Sequence, residues 1–242
     1  MGYLSGFHAI EEMIKSGRPC GPLLVAKAGP RARIIEALAM ERKIVVHRSG
    51  KHELDRLAPG HRGIALQVEG SGASGTETSI ETFLSELEEG EDAIVLVLDG
   101  ITDPHNFGAV IRSADQFGVS LVVNPNSRSA HDSETVARTS AGASAWMPIA
   151  TVPNLVRAVT QLKEAGFWIY GADMGGEAAH KKDLKGRVAL VMGSEGAGIA
   201  RLLREACDGI ISIPSRGQID SLNVSVATGV LLYEINRQRG FK

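Results

Sequence analysis

The sequence of 242 residues contains only two cysteines and no long apolar run. Cys20 and Cys207 lie far apart and form no Cys-x-x-Cys pair, which argues against a disulfide framework and against a cysteine zinc site. A reducing cytoplasm is the compartment that best fits this content. No apolar run approaches the roughly 20 residues that a bilayer span needs, and the first residues lack a basic signal region. We therefore expect a soluble, globular, cytoplasmic protein with no membrane partner.

The chain also lacks the phosphate-binding loop Gly-x-x-x-x-Gly-Lys and a marked excess of either charge. Its formal net charge is −2, but the charges are distributed unevenly. Residues 1–70 carry a net charge of +4, residues 71–98 carry −7 and residues 99–242 carry +1. The acidity is thus confined to one stretch, and a nucleic-acid partner is not excluded for the rest of the chain.

The acidic stretch begins beside a glycine- and serine-rich segment that marks a domain boundary. We predict a first domain at residues 1–69, a flexible linker at 70–79 and a larger domain at 80–242. The first domain alternates short helical and extended patterns, which is typical of a small α/β unit. Its basic residues could bind phosphates without base specificity or could simply be solvated. These residues are Arg31, Arg33, Arg42, Lys43, Arg48, Lys51, Arg56 and Arg62.

From residue 93 the pattern changes to apolar strands separated by loops and helices. Continuous apolar runs of this kind are typical of buried strands in a parallel sheet. An open α/β layer fold is therefore predicted, and ligands in such folds bind beyond the carboxyl ends of the strands. The predicted strands are 93–98, 119–123, 167–171, 188–192 and 209–213. The predicted helices are 108–117, 134–141, 153–165 and 199–206.

Three of the loops that follow predicted strands have an unusual composition. Residues 99–112 lead into a helix that Pro104 is suited to open. Residues 193–198 read Gly-Ser-Glu-Gly-Ala-Gly, and glycines let a ligand approach the backbone closely. Residues 213–220 run into a final helix with apolar residues all round, which must be covered on every side.

The final helix begins with polar residues although most of it is apolar. Ser221 could act as its N-cap. Alternatively, Ser221, Asn223 and Ser225 could bind a ligand, because polar groups with little water nearby need partners. The helix is also too apolar for the surface of a monomer, so we expect a second subunit to cover it.

The three loops resemble, in order, the three motifs of the SpoU (TrmH-like) RNA ribose methyltransferases. The first motif reads Asp-Pro-His-Asn-Phe-Gly-Ala-Val-Ile-Arg-Ser-Ala, and the second reads Leu-Val-Met-Gly-Ser-Glu-Gly-Ala-Gly. The third reads Ile-Pro-Ser-Arg-Gly-Gln-Ile-Asp-Ser-Leu-Asn-Val-Ser-Val-Ala. The likeness covers residues 93–238. Residues 1–69 resemble the ribosomal-protein-like substrate-binding domain of bacterial 23S rRNA guanosine-2′-O-methyltransferases.

This resemblance implies a SPOUT-type, Rossmann-like parallel sheet with a trefoil knot near the carboxyl terminus, although general topology rules make knots rare. It implies S-adenosyl-L-methionine as the cofactor, bound in the knot, and ribosomal RNA as the partner. It also implies a homodimer. The activity that we expect is 2′-O-ribose methylation of a guanosine in 23S rRNA.

The resemblance also carries over site residues, position by position. The implied cofactor-binding residues are Gly171, Gly193, Ile213 and Leu222. The implied catalytic residues are Asn106, Arg112, Glu195, Ser221 and Asn223. No metal site is predicted, because the seven histidines show no ligand spacing and methyl transfer from a sulfonium needs no Lewis acid.

The role of Arg112 stays open. An arginine is normally a fixed cation, which suits stabilising a developing alkoxide or gripping a phosphate. Proposals for the family instead make it the base that takes the proton of the ribose hydroxyl. In a regular helix, Asn106 and Arg112 would point about 120° apart, so we predict that Asn106 lies in the loop before the helix.

Three other functions compete with this prediction. Another RNA, such as tRNA, could be the substrate. A non-catalytic RNA-binding protein is disfavoured because all five implied catalytic residues are present. A dehydrogenase of doubly wound fold is disfavoured because the glycines of residues 193–198 differ from the dinucleotide fingerprint, and no acidic residue stands where a ribose contact would be required.

Overall fold

The computed structural model describes residues 2–17, 19–27, 29–58, 61–68, 77–126, 133–217 and 221–241. Their contacts group them into two compact units. One unit comprises the described parts of Met1–Thr76 and Asp132–Trp146, and the other comprises those of Glu77–His131 and Met147–Lys242. Of the segment that we predict as a linker, residues 70–76 lie outside the described residues, and residues 77–79 begin the second unit.

The first unit is a small sheet with helices on both faces. Its elements are β1 (Gly2–Ser5), α1 (Phe7–Ser16), β2 (Cys20–Val25), α2 (Pro30–Glu41), β3 (Val46–Arg48), α3 (Lys51–Leu57), β4 (Ile64–Val68) and α6 (Ser133–Thr139). The strand order is β1-β4-β2-β3, with β2 and β3 parallel and β4 antiparallel to both of its neighbours. Ile10 of α1 and Ile35 of α2 are buried in one core. Leu54 of α3 is buried in a separate cluster with Leu24 and Ala65, so α3 covers the opposite face of the sheet.

The second unit contains a seven-stranded sheet. Its strands are β5 (Glu77–Thr78), β6 (Ile94–Asp99), β7 (Leu121–Pro125), β8 (Ile149–Val152), β9 (Trp168–Ala178), β10 (Val188–Gly193) and β11 (Gly209–Ser212). Its helices are α4 (Ile80–Glu86), α5 (Pro104–Gln116), α7 (Leu155–Glu164), α8 (Arg201–Glu205) and α9 (Val224–Arg239). The strand order is β11-β9-β10-β6-β7-β8-β5, and every pairing is parallel. Among the helices that the structure describes, none combines the length and the apolar character needed to cross a membrane.

The central strands of this sheet are buried on both faces. Val95, Leu96 and Val97 of β6 are all fully buried. The core that contains Val95 and Val97 is closed by residues of α4, α7 and α8, whereas α9 packs against α5 and β10. Successive side chains of a strand point to opposite faces, so helices are needed on both sides. The predicted α/β fold with a parallel sheet is confirmed, with two further strands, β5 and β8, that the sequence pattern does not predict.

Two arginines fasten the amino ends of the central strands. Arg187, just before β10, donates hydrogen bonds to the carbonyl oxygens of Glu88 (2.6 Å) and Ala165 (3.0 Å). Arg239, at the end of α9, donates to the carbonyl oxygen of Ala93 (3.2 Å). Hydrogen bonds from charged donors are stronger than neutral ones. The amino edge of the sheet is therefore held by charge-assisted bonds, and the motif loops leave from the carboxyl edge.

Candidate active site

The carboxyl ends of β6, β9, β10 and β11 lie side by side along one edge of the seven-stranded sheet. Because these strands are parallel, the loops that follow them all leave from this edge. Gly193 at the end of β10 pairs in register with Asp99 at the end of β6. The three motif loops, which follow β6, β10 and β11, therefore begin close to one another.

The side chain of Glu195 connects these loops. Its Oε1 accepts hydrogen bonds from Asn106 Nδ2 (3.3 Å), Asn223 Nδ2 (2.6 Å) and the backbone N–H of Val224 (3.3 Å). One carboxylate oxygen thus joins α5, the loop at residues 193–198 and the start of α9. The other oxygen, Oε2, accepts no hydrogen bond from a residue that the structure describes. Since Glu195 is exposed, Oε2 is available to a ligand.

Asn106 occupies the first turn of α5. Asp103 caps this helix, and its carboxylate accepts hydrogen bonds from the backbone N–H groups of His105 (3.3 Å) and Asn106 (3.2 Å). Pro104 supplies the first helical residue, a position that suits its fixed φ. The prediction that Asn106 lies in the loop before the helix is therefore wrong, because the cap and the proline start the helix two residues before it.

Asn223 is the N-cap of α9 and also a member of the cluster. Its Oδ1 accepts hydrogen bonds from the backbone N–H (3.0 Å) and the hydroxyl (2.6 Å) of Ser225, while its Nδ2 donates to Asn106 Oδ1 (2.8 Å). The interpretation of Ser221 as the cap is therefore wrong. Ser221 is exposed, two residues before the cap, and forms no hydrogen bond with a residue inside the described ranges.

Arg112 lies on the same helix as Asn106 but outside the cluster. The two residues are six positions apart, which puts their side chains about 120° apart around the helix axis. Arg112 is exposed, and neither an ion pair nor a hydrogen bond joins its side chain to another part of the chain that the structure describes. The structure thus brings together Asn106, Glu195 and Asn223, and it leaves Arg112 and Ser221 outside their hydrogen-bond network.

The predicted cofactor residues lie along the same edge. Gly171 is on β9, Gly193 ends β10 and Ile213 directly follows β11. Leu222, just before the cap of α9, is 45% exposed. The backbone N–H and C=O groups of Ile213 and Leu222 make no hydrogen bond to other described residues. Backbone groups without a partner among the described residues are suited to bind the polar atoms of an adenosyl group. The exposed side chain of Leu222 is suited to contact its apolar face.

The packing of the chain itself requires a glycine at position 193 and leaves little room for a side chain at position 171. A Cβ at Gly193 would lie only 2.2 Å from the carbonyl carbon of Gly198. A Cβ at Gly171 would lie 2.9 Å from Ile210 Cδ1 and 3.0 Å from Ile199 Cδ1. The sequence-based explanation, that the glycine at 193 lets a ligand approach the backbone, is therefore not needed to account for it.

Two residues that the sequence did not mark as site residues also shape this edge. The buried carboxylate of Asp99 accepts a hydrogen bond from the backbone N–H of Ala200 (2.7 Å), which ties the end of the glycine loop to β6. Cys207 lies under β9, with its Sγ 3.2 Å from the Cβ position of Gly171. Burial raises the pKa of Cys207 to about 11, so the thiol stays protonated at neutral pH and serves packing. In the sequence, Asp99 could have been identified as a candidate because it is a single acidic residue at the end of an apolar strand.

Two family profiles match the sequence. The profile described as the SpoU rRNA Methylase family covers residues 93–233, which include the whole Asn106, Glu195 and Asn223 cluster. The chain belongs to the SpoU rRNA methylase family. The second profile, described as RNA 2′-O ribose methyltransferase substrate binding, covers residues 3–72. The family predicted from the three motifs is confirmed.

Known proteins with SpoU-type sequences or structures extend this comparison. A Borreliella burgdorferi protein named as an uncharacterized tRNA/rRNA methyltransferase is 42% identical over 88% of this chain and 96% of its own length. The 23S rRNA (guanosine-2′-O-)-methyltransferase RlmB of Pseudomonas aeruginosa is 40% identical over 97% of this chain and 95% of its own. The crystal structure of the SpoU methyltransferase AviRb from Streptomyces viridochromogenes, in complex with the cofactor AdoMet, has a TM-score of 0.71 and 26% identity. It covers 98% of this chain and 89% of that one.

The close approach at Gly193 gives a prediction for the SpoU glycine loop. Gly193→Ala should lower the free energy of unfolding by more than about 2 kcal/mol in the absence of any ligand, because the added methyl group meets backbone atoms that cannot rotate away. Gly175→Ala is the matched control, since a Cβ there meets nothing within 4 Å, and it should change stability by less than about 0.5 kcal/mol. Urea unfolding followed by circular dichroism measures both. Equal stability of the Gly193→Ala variant and the parent would contradict the packing explanation.

Proposed function

We propose that this protein transfers a methyl group from S-adenosyl-L-methionine to the ribose 2′-hydroxyl of a guanosine in 23S rRNA. The observation that carries the proposal is the meeting of the three SpoU motif loops at one carboxylate, Glu195. The proposal is also supported by the RlmB relative, whose name states this reaction, and by the AviRb structure, which was solved in complex with the cofactor AdoMet.

Within the proposal, Glu195 and Asn106 orient the ribose hydroxyl. Glu195 Oε1 is occupied by three donors, so Oε2 is the oxygen that remains to accept the hydroxyl hydrogen bond. Both N–H groups of Asn223 are used within the cluster, whereas Asn106 Nδ2 donates only to Glu195 among the described residues, which leaves one N–H for the RNA. Holding the hydroxyl in one orientation lowers the entropy cost of reaching the transition state.

Arg112 and Ser221 complete the proposed substrate site. As a fixed cation, Arg112 stabilises the negative charge that develops on the 2′-oxygen as the hydroxyl proton passes to Glu195 Oε2. Its freedom from ion pairs with described residues leaves this cation available to the RNA. Ser221 is exposed beside the cluster and contributes a hydroxyl that can donate to or accept from substrate or cofactor.

The cofactor residues proposed from the sequence are Gly171, Gly193, Ile213 and Leu222. S-adenosyl-L-methionine supplies, when bound, a methyl group on a sulfonium, which is electrophilic without help from a metal. The free backbone groups of Ile213 and Leu222 bind the adenosyl edge, and the exposed side chain of Leu222 covers its face. Gly171 and Gly193 carry no Cβ, which lets the neighbouring residues and loops pack close to β9 and β10 at this end of the sheet.

The finer features of the fold belong to the same proposal. The segment after β11 threads through the chain as a trefoil knot, and α9 is its threaded part. Support comes from the path of the chain, since β11 is the outermost strand of the sheet, whereas α9 returns to pack on α5 and β10. The first unit grips ribosomal RNA, as the substrate-binding profile and the net charge of +4 over residues 1–70 suggest. The reducing cytoplasm expected from the cysteine content suits such a substrate.

The protein acts as a homodimer in this proposal. A groove of about 490 Å³ runs between α5 and α9 and is lined mainly by apolar atoms. On its α9 side, Val226, Val230 and Tyr233 are 51%, 41% and 50% exposed. An apolar face of this kind is unfavourable in water, and a two-fold copy of the same face would cover it.

A transfer RNA substrate is the second candidate. It is favoured by the Borreliella burgdorferi relative, whose name includes both tRNA and rRNA. The cluster at Glu195 is compatible with either RNA, because in this proposal it binds the ribose hydroxyl and not the base. The choice therefore depends on RNA binding outside the cluster.

The reaction is tested by following tritiated methyl transfer to undermethylated 23S rRNA and, in parallel, to unmodified tRNA. We expect transfer to rRNA at the guanosine 2′-oxygen, and we expect Asn106→Ala and Arg112→Ala each to lower the rate at saturation at least about 100-fold. Cofactor affinity measured by calorimetry should stay within about twofold, because these groups act in the transition state. Arg157→Ala on α7 is the control. Transfer only to tRNA would select the second candidate, and full activity of Arg112→Ala would remove that residue from the site.

Assembly is tested by placing a charge in the groove between α5 and α9. Val230→Asp should convert a dimer into a monomer or an insoluble protein, because burying an unpaired carboxylate at an interface costs several kcal/mol. Thr160→Asp, on an exposed position of α7, should leave the dimer intact. Light scattering coupled to gel filtration measures the mass. A parent protein that is monomeric at micromolar concentration would contradict the proposed assembly.

A further inference from the structure

A cleft of about 460 Å³ opens in the first unit between the α1–β2 connection and the α2–β3 connection. Its apolar walls include Pro19, Pro22, Ile44 and Val45, and the charged residues among the described lining residues are Arg42 and Lys43. No acidic side chain is among the described residues that line it. We call it the loop cleft. Ligand sites typically span about 300–1,000 Å³, so the loop cleft has room for one nucleotide.

The two cations of the loop cleft have no partner among the described residues. The side chains of Arg42 and Lys43 are exposed and form neither an ion pair nor a hydrogen bond with another residue inside those ranges. Elsewhere in the unit, by contrast, Arg31 pairs with a glutamate and Arg48 pairs with the buried Glu36. Adjacent unpaired cations repel each other, and an anion placed between them relieves that repulsion.

The backbone fixes where these cations stand. The N–H of Ile44 donates to the carbonyl of Ala39 (2.8 Å), and the N–H of Lys43 donates to that of Met40 (3.0 Å). This is the Schellman arrangement that ends a helix, and its left-handed position is normally a glycine. Here Lys43 occupies it with φ 58°, although a side chain in this conformation is strained. A glycine would be less strained, but it would remove a cation from the loop cleft.

A cation at the end of α2 also interacts favourably with the helix dipole. That interaction accounts for a positive charge at Arg42 or Lys43, but it does not account for the apolar walls beside them. Val45 is 58% exposed and Pro19 is exposed as well. Exposed apolar surface next to free cations matches a ligand with a flat apolar face and an anionic end.

We propose that the loop cleft binds one unstacked nucleotide of single-stranded RNA, with Arg42 and Lys43 on its phosphate and the proline and aliphatic walls against its base. Proteins recognise single-stranded RNA by such a combination, because an unpaired base exposes its faces while each nucleotide keeps a phosphate charge. The inference rests on the proposed function for the identity of the partner as RNA. It adds the position at which the first unit holds a nucleotide, and it predicts a preference for unpaired RNA.

Two variants separate binding from folding. Lys43→Gly removes a cation and relieves the left-handed strain, so its thermal midpoint should equal or exceed that of the parent. Arg42→Gln removes the other cation at an exposed position. Each variant should weaken binding of a fluorescent single-stranded oligoribonucleotide about fivefold at 0.1 M salt and make the slope of log affinity against log salt shallower by about 0.7. Arg56→Gln on α3 is the matched control, because it removes the same charge from the opposite face of the sheet.

Cys20 supplies a second readout, because it lines the loop cleft. Peptide-resolved alkylation of the full-length protein should slow at Cys20 when the single-stranded oligonucleotide is bound, and much less with duplex RNA or guanosine monophosphate. If the mononucleotide protects Cys20 as well as the oligonucleotide does, the ligand of the loop cleft is a free nucleotide and not RNA. The proposal that RNA binds in the loop cleft would be overturned if alkylation of Cys20 did not change. It would also be overturned if Arg56→Gln lost as much affinity as Lys43→Gly and Arg42→Gln.

The outcome of this test can be separated from that of the proposed function. If the protein methylates rRNA while Lys43→Gly and Arg42→Gln keep the parent affinity and salt slope, the inference fails and the proposed function stands. If both variants lose affinity for single-stranded RNA but the parent methylates no rRNA, the proposed function fails and the loop cleft stands.

Discussion

The hydrogen bonds to one oxygen of Glu195 hold the candidate active site together. Asn106 comes from α5, Val224 and Asn223 come from the start of α9, and all three donate to Glu195 Oε1. A charged acceptor makes each of these bonds stronger than a neutral one. Without the carboxylate, Asn223 would keep its cap bonds to Ser225, and of the bonds in this cluster only the one between the two asparagine amides would still join α5 to the start of α9. The arrangement of the three loops therefore depends on this residue more than on any other that we have described.

The sheet makes this convergence possible. Because β6, β9, β10 and β11 are adjacent and parallel, loops that are far apart in sequence leave one edge at neighbouring points. The close packing there leaves no space for a side chain at Gly193, and Asp99 ties the glycine loop back to β6. At the opposite edge, Arg187 and Arg239 bind backbone carbonyls. A rigid frame of this kind lets exposed polar groups keep fixed positions, which catalysis requires.

Much of the fold could be predicted because a parallel sheet leaves continuous apolar runs, as in β6 and β10. By contrast, β5 has two residues, and its pairing with β8 is not encoded in any local pattern. Asp103 and Pro104 indicate the first turn of α5 in the sequence. The 120° separation of Asn106 and Arg112 led instead to the wrong prediction that Asn106 precedes the helix. For α9, Ser221 and Asn223 are both good caps, and local preference could not choose between them. The choice of Asn223 depends on Glu195, which lies 28 residues away in the sequence.

The most direct test of the central claim is a double-mutant cycle between Glu195 and Asn223, measured as single-turnover methyl transfer to RNA. If Glu195 Oε1 holds the loops as one unit, Glu195→Ala and Asn223→Ala should each lower the rate strongly. The double variant should then be little slower than the slower single variant, with a coupling of about 1–3 kcal/mol. Rate losses that multiply, with no coupling, would contradict the account.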